Sequence, residues 1–367
     1  MEIIGIIAEY NPLHNGHIYH INKIKEKYPN SLIILALNGY FMERGEVSIL
    51  SKYDKAYLSI LCGVDIVISI PTLFGVQSAD TFAHTAVKLL NYLNVNKIIF
   101  GSESNNIELL TKIAKKSLEN DKNEMISYYI KKGLNYPTAL SKVINEKFDY
   151  NPNDLLGICY IKSILQNNYK IIPETILRTN NYLDTKSNDN IISALNIRNK
   201  IKENENISKY VPENVINKIN IINNDLLFNL IKIQILNNDI SNILDVDEDM
   251  MFLLQKNILK VNNLNDLINK LKSKKCTYNK INRMLIHILL NIKKDDAKTQ
   301  LDYINIIGFN KKGKNYLNSI KKNINISTKI NKESIIYKYE LKSAIIYDML
   351  TNKNELKKEL ENKPIIL

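Results

Sequence analysis

Apolar residues fall along this chain in two rhythms. Up to about residue 200, short unbroken apolar runs alternate with longer stretches in which apolar positions recur three and four apart. The runs at 3–8 (IIGIIA), 31–37 (SLIILAL), 65–70 and 97–100 are too short for helices and read as buried strands, with a fifth at 170–177. Between them the helical period predicts one helix that leaves the polar turn 9–15 and carries Ile18, Ile21 and Ile24. It predicts others over 52–62, with Ser51 as cap and Gly63 past the end, and over about 78–93. Residues 105–148 are helical in pattern, punctuated at Tyr136-Pro137, and Asn151-Pro152-Asn153-Asp154 caps a further helix that runs to Leu165. Strands that alternate with helices predict a parallel sheet covered on both faces. Residues 1–203 therefore read as a Rossmann-like, doubly wound α/β domain.

After residue 203 the strand rhythm stops. Residues 211–222, 226–236, 247–259, 264–271 and 278–292 all carry helical spacing. The acidic stretch 245–249 suits the positive end of a helix dipole and lacks the glycine and final glutamate of a calcium loop. Residues 204–367 are expected to form a second, mainly α-helical domain.

Composition changes this picture little. With 367 residues, 45% hydrophobic and 24% charged, the chain is ordinary for a globular protein with a large core. Cys62, Cys159 and Cys276 stand singly, which argues against a disulfide framework or thiolate metal spacing and for a reducing compartment. No basic-then-apolar leader and no 18-residue apolar run occurs, so a cytoplasmic protein without a membrane span is expected.

Charge changes it more. The formal net charge is +12, and it is unevenly placed: residues 1–150 carry 16 Lys+Arg against 15 Asp+Glu, whereas residues 251–350 carry 20 against 7. A codon bias toward lysine would not spare the first 150 residues. A basic region apart from the α/β domain predicts a surface for a polyanion, nucleic acid before others. Lys272, Lys274, Lys275, Arg283, Lys311 and Lys312 are its candidate contacts, with Tyr278, Tyr303, Phe309 and Tyr316 interleaved.

The candidate chemistry sits on the first strand-to-helix turn, where His14 and His17 flank Gly16. The first turn of a helix offers N–H groups without intrahelical partners and the positive end of the macrodipole, so it attracts phosphate. Gly16 allows close backbone approach, and two imidazoles can donate to oxygens that gain charge in a transition state. Open α/β sheets hold ligands at this place, beyond the carboxyl ends of their strands. Gly101, ending the fourth strand, is expected at the same edge, and the fifth strand brings Arg178 there. A second helix start at 192–198 (ISALNIR) offers Ser193 and Arg198 as donor and charged clamp for a triphosphate. His14, His17 and His20 have no carboxylate or cysteine at ligand spacing, so no protein-held metal is expected. There is no P-loop, no G-x-G-x-x-G and no G-x-S-x-G, which disfavours kinase-like ATPases, dinucleotide oxidoreductases and α/β-hydrolases.

These motifs carry a resemblance. Asn11 to His17 (NPLHNGH) resembles the HxGH signature of the nucleotidyltransferase superfamily, and ISALNIR resembles its second motif, ISSTxIR, with Leu195 where threonine is usual. With the Arg44-Gly45-Glu46 loop, GSE at 101–103, PNDLLG at 152–157 and GFNKKG at 308–313, the chain is similar over nearly its whole length to the bacterial tRNA(Met) cytidine acetate ligase family. The resemblance implies an HxGH-type nucleotidyltransferase domain and an enzyme that uses ATP to activate acetate as acetyl-adenylate. It implies transfer of the acetyl group to N4 of the wobble cytidine in the anticodon of elongator tRNA(Met). It places ATP on Ile7, Ala8, Glu9, Tyr10, Asn11, Pro12, Leu13, His14, Asn15, Gly16, His17, Ile18, Tyr19 and His20, and on Gly101, Asn153, Arg178 and Ser193. His14, His17, Arg178 and Arg198 become the catalytic set, with Mg²⁺ carried by the phosphates and no stable protein partner inferred. Two other readings stay open: a small-molecule nucleotidyltransferase of cofactor biosynthesis, and a non-catalytic RNA-binding protein.

Overall fold

The computed structural model describes residues 1–134, 136–144, 148–149, 151–179, 190–273, 276–324 and 326–367. Its strands are β1 (Ile3–Ala8), β2 (Leu32–Asn38), β3 (Ile66–Ile70), β4 (Lys97–Ser102), β5 (Ile172–Leu177), β6 (Ile306–Phe309) and β7 (Ile365–Ile366). Helices α1 (Asn15–Lys27) and α2 (Lys52–Leu61) follow β1 and β2, while α3 (Thr72–Gly75) and α4 (Ala79–Tyr92) follow β3. Between β4 and β5 lie α5 (Ile107–Leu118), α6 (Asn120–Lys131), α7 (Tyr136–Ile144) and α8 (Pro152–Gln166). After β5 come α9 (Ala194–Lys202), α10 (Glu213–Ile216), α11 (Asn224–Asn237), α12 (Glu248–Asn257), α13 (Leu264–Leu271) and α14 (Tyr278–Leu290). The chain ends through α15 (Lys311–Ile320), α16 (Ile335–Thr351) and α17 (Glu355–Glu361).

The strands form one sheet in the order β5-β4-β1-β2-β3-β6-β7. β1 to β5 are mutually parallel; the apolar runs of β1 to β4 suit strands covered on both faces, whereas β5 (IPETIL) is a half-exposed edge strand. The chain builds outward from β1 through β2 to β3, then returns to the other side of β1 for β4 and β5. The order therefore reverses between β1 and β4, which opens a crevice at their carboxyl ends. Alternate strand residues face opposite layers: Leu32, Ile34, Ala36, Ile98 and Phe100 pack with α4, α5 and α8, whereas Ile4, Ile6, Ile33, Leu35 and Ile99 pack with α1, α2 and α9. A third core joins α11 to α14 and α16 with Tyr40 and Phe41 from the loop after β2 and Leu73 and Phe74 from α3.

Two features differ from the sequence expectation. The helix expected over 211–222 is only Glu213–Ile216, entered through Pro212. Its apolar positions are still used, with Val211 and Val215 buried, but the chain leaves the helix so that the N–H of Asn220 donates to the Ile49 carbonyl at 2.8 Å. The second feature is β6, which lies antiparallel to β3 and carries β7 beside it, so residues of the mainly helical part complete the sheet. Among the described residues no helix is long and apolar enough to cross a membrane.

Candidate active site

β1 delivers the chain to α1 through a turn built on side-chain caps. His14 caps α1 from extended backbone (φ −144°, ψ 172°), and its Nδ1 accepts the N–H of Gly16 at 3.0 Å. The N–H of His14 donates to Nδ1 of His17 at 3.2 Å. A ring nitrogen that accepts carries no proton, so each neutral imidazole bears its proton on Nε2, the atom remote from the helix backbone. The two ring centroids lie 3.8 Å apart, with the Tyr10 ring 4.5 Å from that of His17. Burial, reinforced by Arg178 and Arg198, pushes His14 down to about 3. Burial, then His14 and Arg178, holds His17 well below the usual histidine value; burial, then Arg178, puts His20 at about 4. At neutral pH all three are uncharged hydrogen-bond donors. Gly16 is needed for this arrangement: a Cβ there would sit 2.8 Å from Cε1 and 3.0 Å from Nδ1 of His14.

His14, His17 and His20 line a cleft of about 250 Å³ at the β1/β4 crevice, together with Gly101, Asn153, Arg178 and Arg198. Glu103, just past β4, accepts from the Asn153 side chain at 2.6 Å and from the Asp154 N–H at 3.0 Å, and lies 4.0 Å from Arg178 Nε. This ties the GSE stretch to the start of α8. Arg198 donates to the Asn11 carbonyl at 2.7 Å and pairs with Glu46 at 2.5 Å. Two buried atoms on the cleft wall, Asn11 Nδ2 and His20 Nε2, have no hydrogen-bond partner among the described residues, so the wall offers a donor and a ring nitrogen to a polar ligand.

Not every residue expected to touch ATP reaches the cleft. Ile7, Ala8, Glu9, Tyr10, Asn11, Gly16 and Tyr19 line it; Pro12, Leu13, Asn15 and Ile18 do not. Leu13 is fully buried, and the Asn15 amide holds the carbonyls of Asn190 and Lys209. Ser193 caps α9 by accepting from the Asn196 N–H at 3.3 Å and stays behind the wall, whereas Leu195 lines it.

The sequence profile of the HIGH Nucleotidyl Transferase family matches residues 1–363. The tRNA(Met) cytidine acetate ligase of Caldicellulosiruptor saccharolyticus is 35% identical over 351 residues, covering 90% of this chain and 88% of that one. The tRNA(Met) cytidine acetate ligase of Clostridium perfringens is 34% identical over 400 residues, with both chains covered fully. The chain belongs to this ligase family. The fold agrees: a crystal structure of Thermotoga maritima TmcAL bound with alpha-thio ATP superposes with a TM-score of 0.85 at 24% identity, covering 100% of both chains.

Another side of the ligase cleft is the loop 39–50 after β2, whose Arg44-Gly45-Glu46 the sequence marked without assigning it a contact. Met42, Glu43, Arg44 and Glu46 line the cleft from this loop. The loop is locked from below by Lys55, which is fully buried on α2 and donates to the carbonyls of Glu9, Asn38 and Gly39 at 3.0, 2.6 and 2.5 Å. It is locked from the side by Gly45, whose φ of +77° and contact with the α14 backbone leave no room for a Cβ, which would lie 2.4 Å from Arg283 N. Phe82, Phe100, Leu156 and Tyr160 form an apolar wall. Loop length was the available signal for this side, because nothing local specifies contacts with α14.

The proposed nucleic-acid contacts scatter. Lys272 is exposed just past α13, and Lys274 and Lys275 lie outside the described residues. Arg283 is turned inward: its side chain is 16% exposed and meets Glu43 at 3.2 Å. Lys311 and Lys312 start α15, where Lys312 holds the Ser31 carbonyl at 2.5 Å and α15's cap, Asn310, bonds Asp65 at 2.8 Å. Those partners precede β2 and β3, so this pair sits at the amino edge of the sheet, a strand length from the cleft. Tyr303 and Tyr316 are buried, with the Tyr316 hydroxyl on the Leu93 carbonyl, and serve the core.

Proposed function

We propose that this ligase modifies tRNA: it activates acetate with ATP as acetyl-adenylate, releasing pyrophosphate, and passes the acetyl group to N4 of the wobble cytidine of elongator tRNA(Met). The observation that carries the reading is the cleft itself, with two neutral imidazoles whose Nδ1 atoms serve the helix N-terminus, leaving Nε2–H as donor, and two arginines lining the same cleft. Acetate is a poor nucleophile, so attack on the α-phosphorus needs positioning and neutralisation of charge on the phosphate and the departing pyrophosphate. His14 and His17 supply donors where that charge grows, while Arg178 and Arg198 supply fixed positive charge. Mg²⁺ would arrive bound to the triphosphate, because this ion keeps most of its waters and binds through phosphate oxygens. No covalent enzyme intermediate is required.

The apolar wall beside the histidines suits a methyl group and a base splayed out of an anticodon loop. Incubating the protein with ATP, isotope-labelled acetate and tRNA(Met), then analysing the nucleosides by mass spectrometry, should find the label on N4-acetylcytidine. Label absent from cytidine refutes the reading. Pyrophosphate release driven by a phosphorylated acceptor in place of acetate would favour a small-molecule nucleotidyltransferase instead.

A further inference from the structure

We propose that the Glu43 carboxylate is the base that takes the proton from the exocyclic amine as that amine attacks the activated acetyl group. The inference rests on the acetyl-transfer reading above and adds a residue to its second step. An amine attached to an aromatic ring delocalises its lone pair and is a weak nucleophile, so its N–H must be relieved as the new bond forms. N4 bonds to the acetyl carbon, the bond from that carbon to the adenylate oxygen breaks, AMP leaves with the electron pair, and the amine proton passes to Glu43 and then to water.

Geometry narrows the choice to this residue. Among the described residues, the carboxylates and imidazoles on the cleft wall are Glu9, Glu43, Glu46, His14, His17 and His20. Glu9 is held by the Asn38 amide at 2.8 Å and by the Glu43 N–H at 2.6 Å, and Glu46 is paired with Arg198 at 2.5 Å. His14 and His17 use Nδ1 as helix caps and have no free acceptor nitrogen. His20, held near 4 by burial, is a weak base. Among the described residues the Glu43 carboxylate accepts one side-chain hydrogen bond, from Arg283 on Oε1 at 3.2 Å, while its Oε2 has only Arg44 Nε at 3.8 Å, beyond hydrogen-bond reach, and its own N–H anchors it to Glu9.

Position agrees. Glu43 stands on the loop after β2, on the opposite side of β1 from Gly101 and Arg178 at the ends of β4 and β5, so an acceptor at Glu43 and a nucleotide at Arg178 would flank the β1 turn. Arg283 also ties Glu43 to α14, at the seam between the cleft and the helical part. The charges that face Glu43 are Glu9, Arg283 and Arg44, and it lies within the fields of Tyr160 and Cys159. Burial raises the carboxyl, Arg283 lowers it, Glu9 raises it and Arg44 lowers it, with a resultant at about 7, a value suited to a base working at neutral pH.

The test separates the two half-reactions. Enzyme preloaded with ATP and labelled acetate is mixed rapidly with tRNA(Met), and acetate-dependent pyrophosphate release is followed without tRNA, for the parent, Glu43→Gln and Glu43→Asp. Glu43→Gln should slow acetyl transfer about 100-fold and slow it far more than pyrophosphate release. The parent's transfer rate should rise with pH through about 7, and Glu43→Gln should lose that rise while Glu43→Asp keeps it at a shifted pH. Equal loss in both half-reactions, transfer at the parental rate, or a pH rise retained by Glu43→Gln overturns the assignment. If Glu43→Gln does not fold, an unshifted profile in Glu43→Asp overturns it. Parent enzyme that acetylates nothing overturns the parent reading and this one together, whereas a normal parent with an indifferent Glu43→Gln overturns this one alone.

Discussion

The N–H of His14 donates to Nδ1 of His17 at 3.2 Å, and with the His14 Nδ1 on the Gly16 N–H this fixes both imidazoles in one tautomer. The signature is therefore a helix cap and a pair of aimed donors at once. Alanine at either histidine should lower acetate-dependent pyrophosphate release by roughly 100- to 1,000-fold, with tRNA affinity close to the parent's. Loss of tRNA affinity alone, with adenylation intact, would contradict the roles given to them.

Gly16→Ala isolates the geometry. Alanine is the better helix former by up to about 1 kcal/mol, which offsets much of the cost of disturbing the His14 cap, about 0.5–2 kcal/mol, so the variant should stay folded with stability close to the parent's by chemical denaturation. Its Cβ would press on the His14 ring, and pyrophosphate release should fall at least about tenfold, the cost of a displaced catalytic group. Full activity would show that the ring moves without consequence.

The stability of the fold should depend on His14 in mild acid. Its folded value of about 3 lies below the ordinary 6.5, so as pH falls below 6.5 the unfolded chain takes up the proton first. The stability it contributes is complete above that pH and is lost toward pH 3 at up to about 1.4 kcal/mol per unit. Urea denaturation between pH 7 and 4 should show a shallower decline for His14→Gln than for the parent.

A buried ion cluster joins the two ends of the chain. Lys52, fully buried on α2, pairs with Glu340 at 2.8 Å and with Glu359, while the Tyr40 hydroxyl donates to Glu359 at 2.7 Å and Glu340 accepts the Thr72 N–H at 2.6 Å. Burial works against the Lys52 charge, but Glu340 and Glu359 outweigh it and raise the ammonium well above its usual value. Lys52→Met leaves two carboxylates buried without a cation and should cost about 3–5 kcal/mol, read from denaturant unfolding. Adding Glu340→Gln and Glu359→Gln should recover most of the loss.

Nucleic-acid contacts are separable by position. Replacing exposed Lys272, with Lys274 and Lys275, by glutamine should weaken tRNA binding and lower its salt slope by about one for each phosphate that these lysines neutralise. Lys312→Gln, at the far edge of the sheet, should leave both unchanged. Filter binding across a salt series distinguishes the two sets.

What the sequence determined by itself is local. Strands β1 to β4 were legible within two residues because parallel strands buried on both faces carry short continuous apolar runs, the half-exposed edge strand β5 followed from its place after α8, and caps such as Ser51, Ser78 and Asp247 announce helices through bonds made three residues away. The HxGH turn was legible from His14 and His17 flanking Gly16 where a strand gives way to a helix, whereas their role as caps of that helix came from the structure. Tertiary structure decided the rest. Arg283 meets Glu43 across 240 positions and Lys52 meets Glu340 across 288, and β6 joins the sheet only because β3 presents an open edge. Such pairings depend on which surfaces the folded layers bring together, and no periodicity in the chain encodes that; how Arg283 and α14 hold the loop 39–50 against the cleft was therefore visible only once the helical part had packed against it.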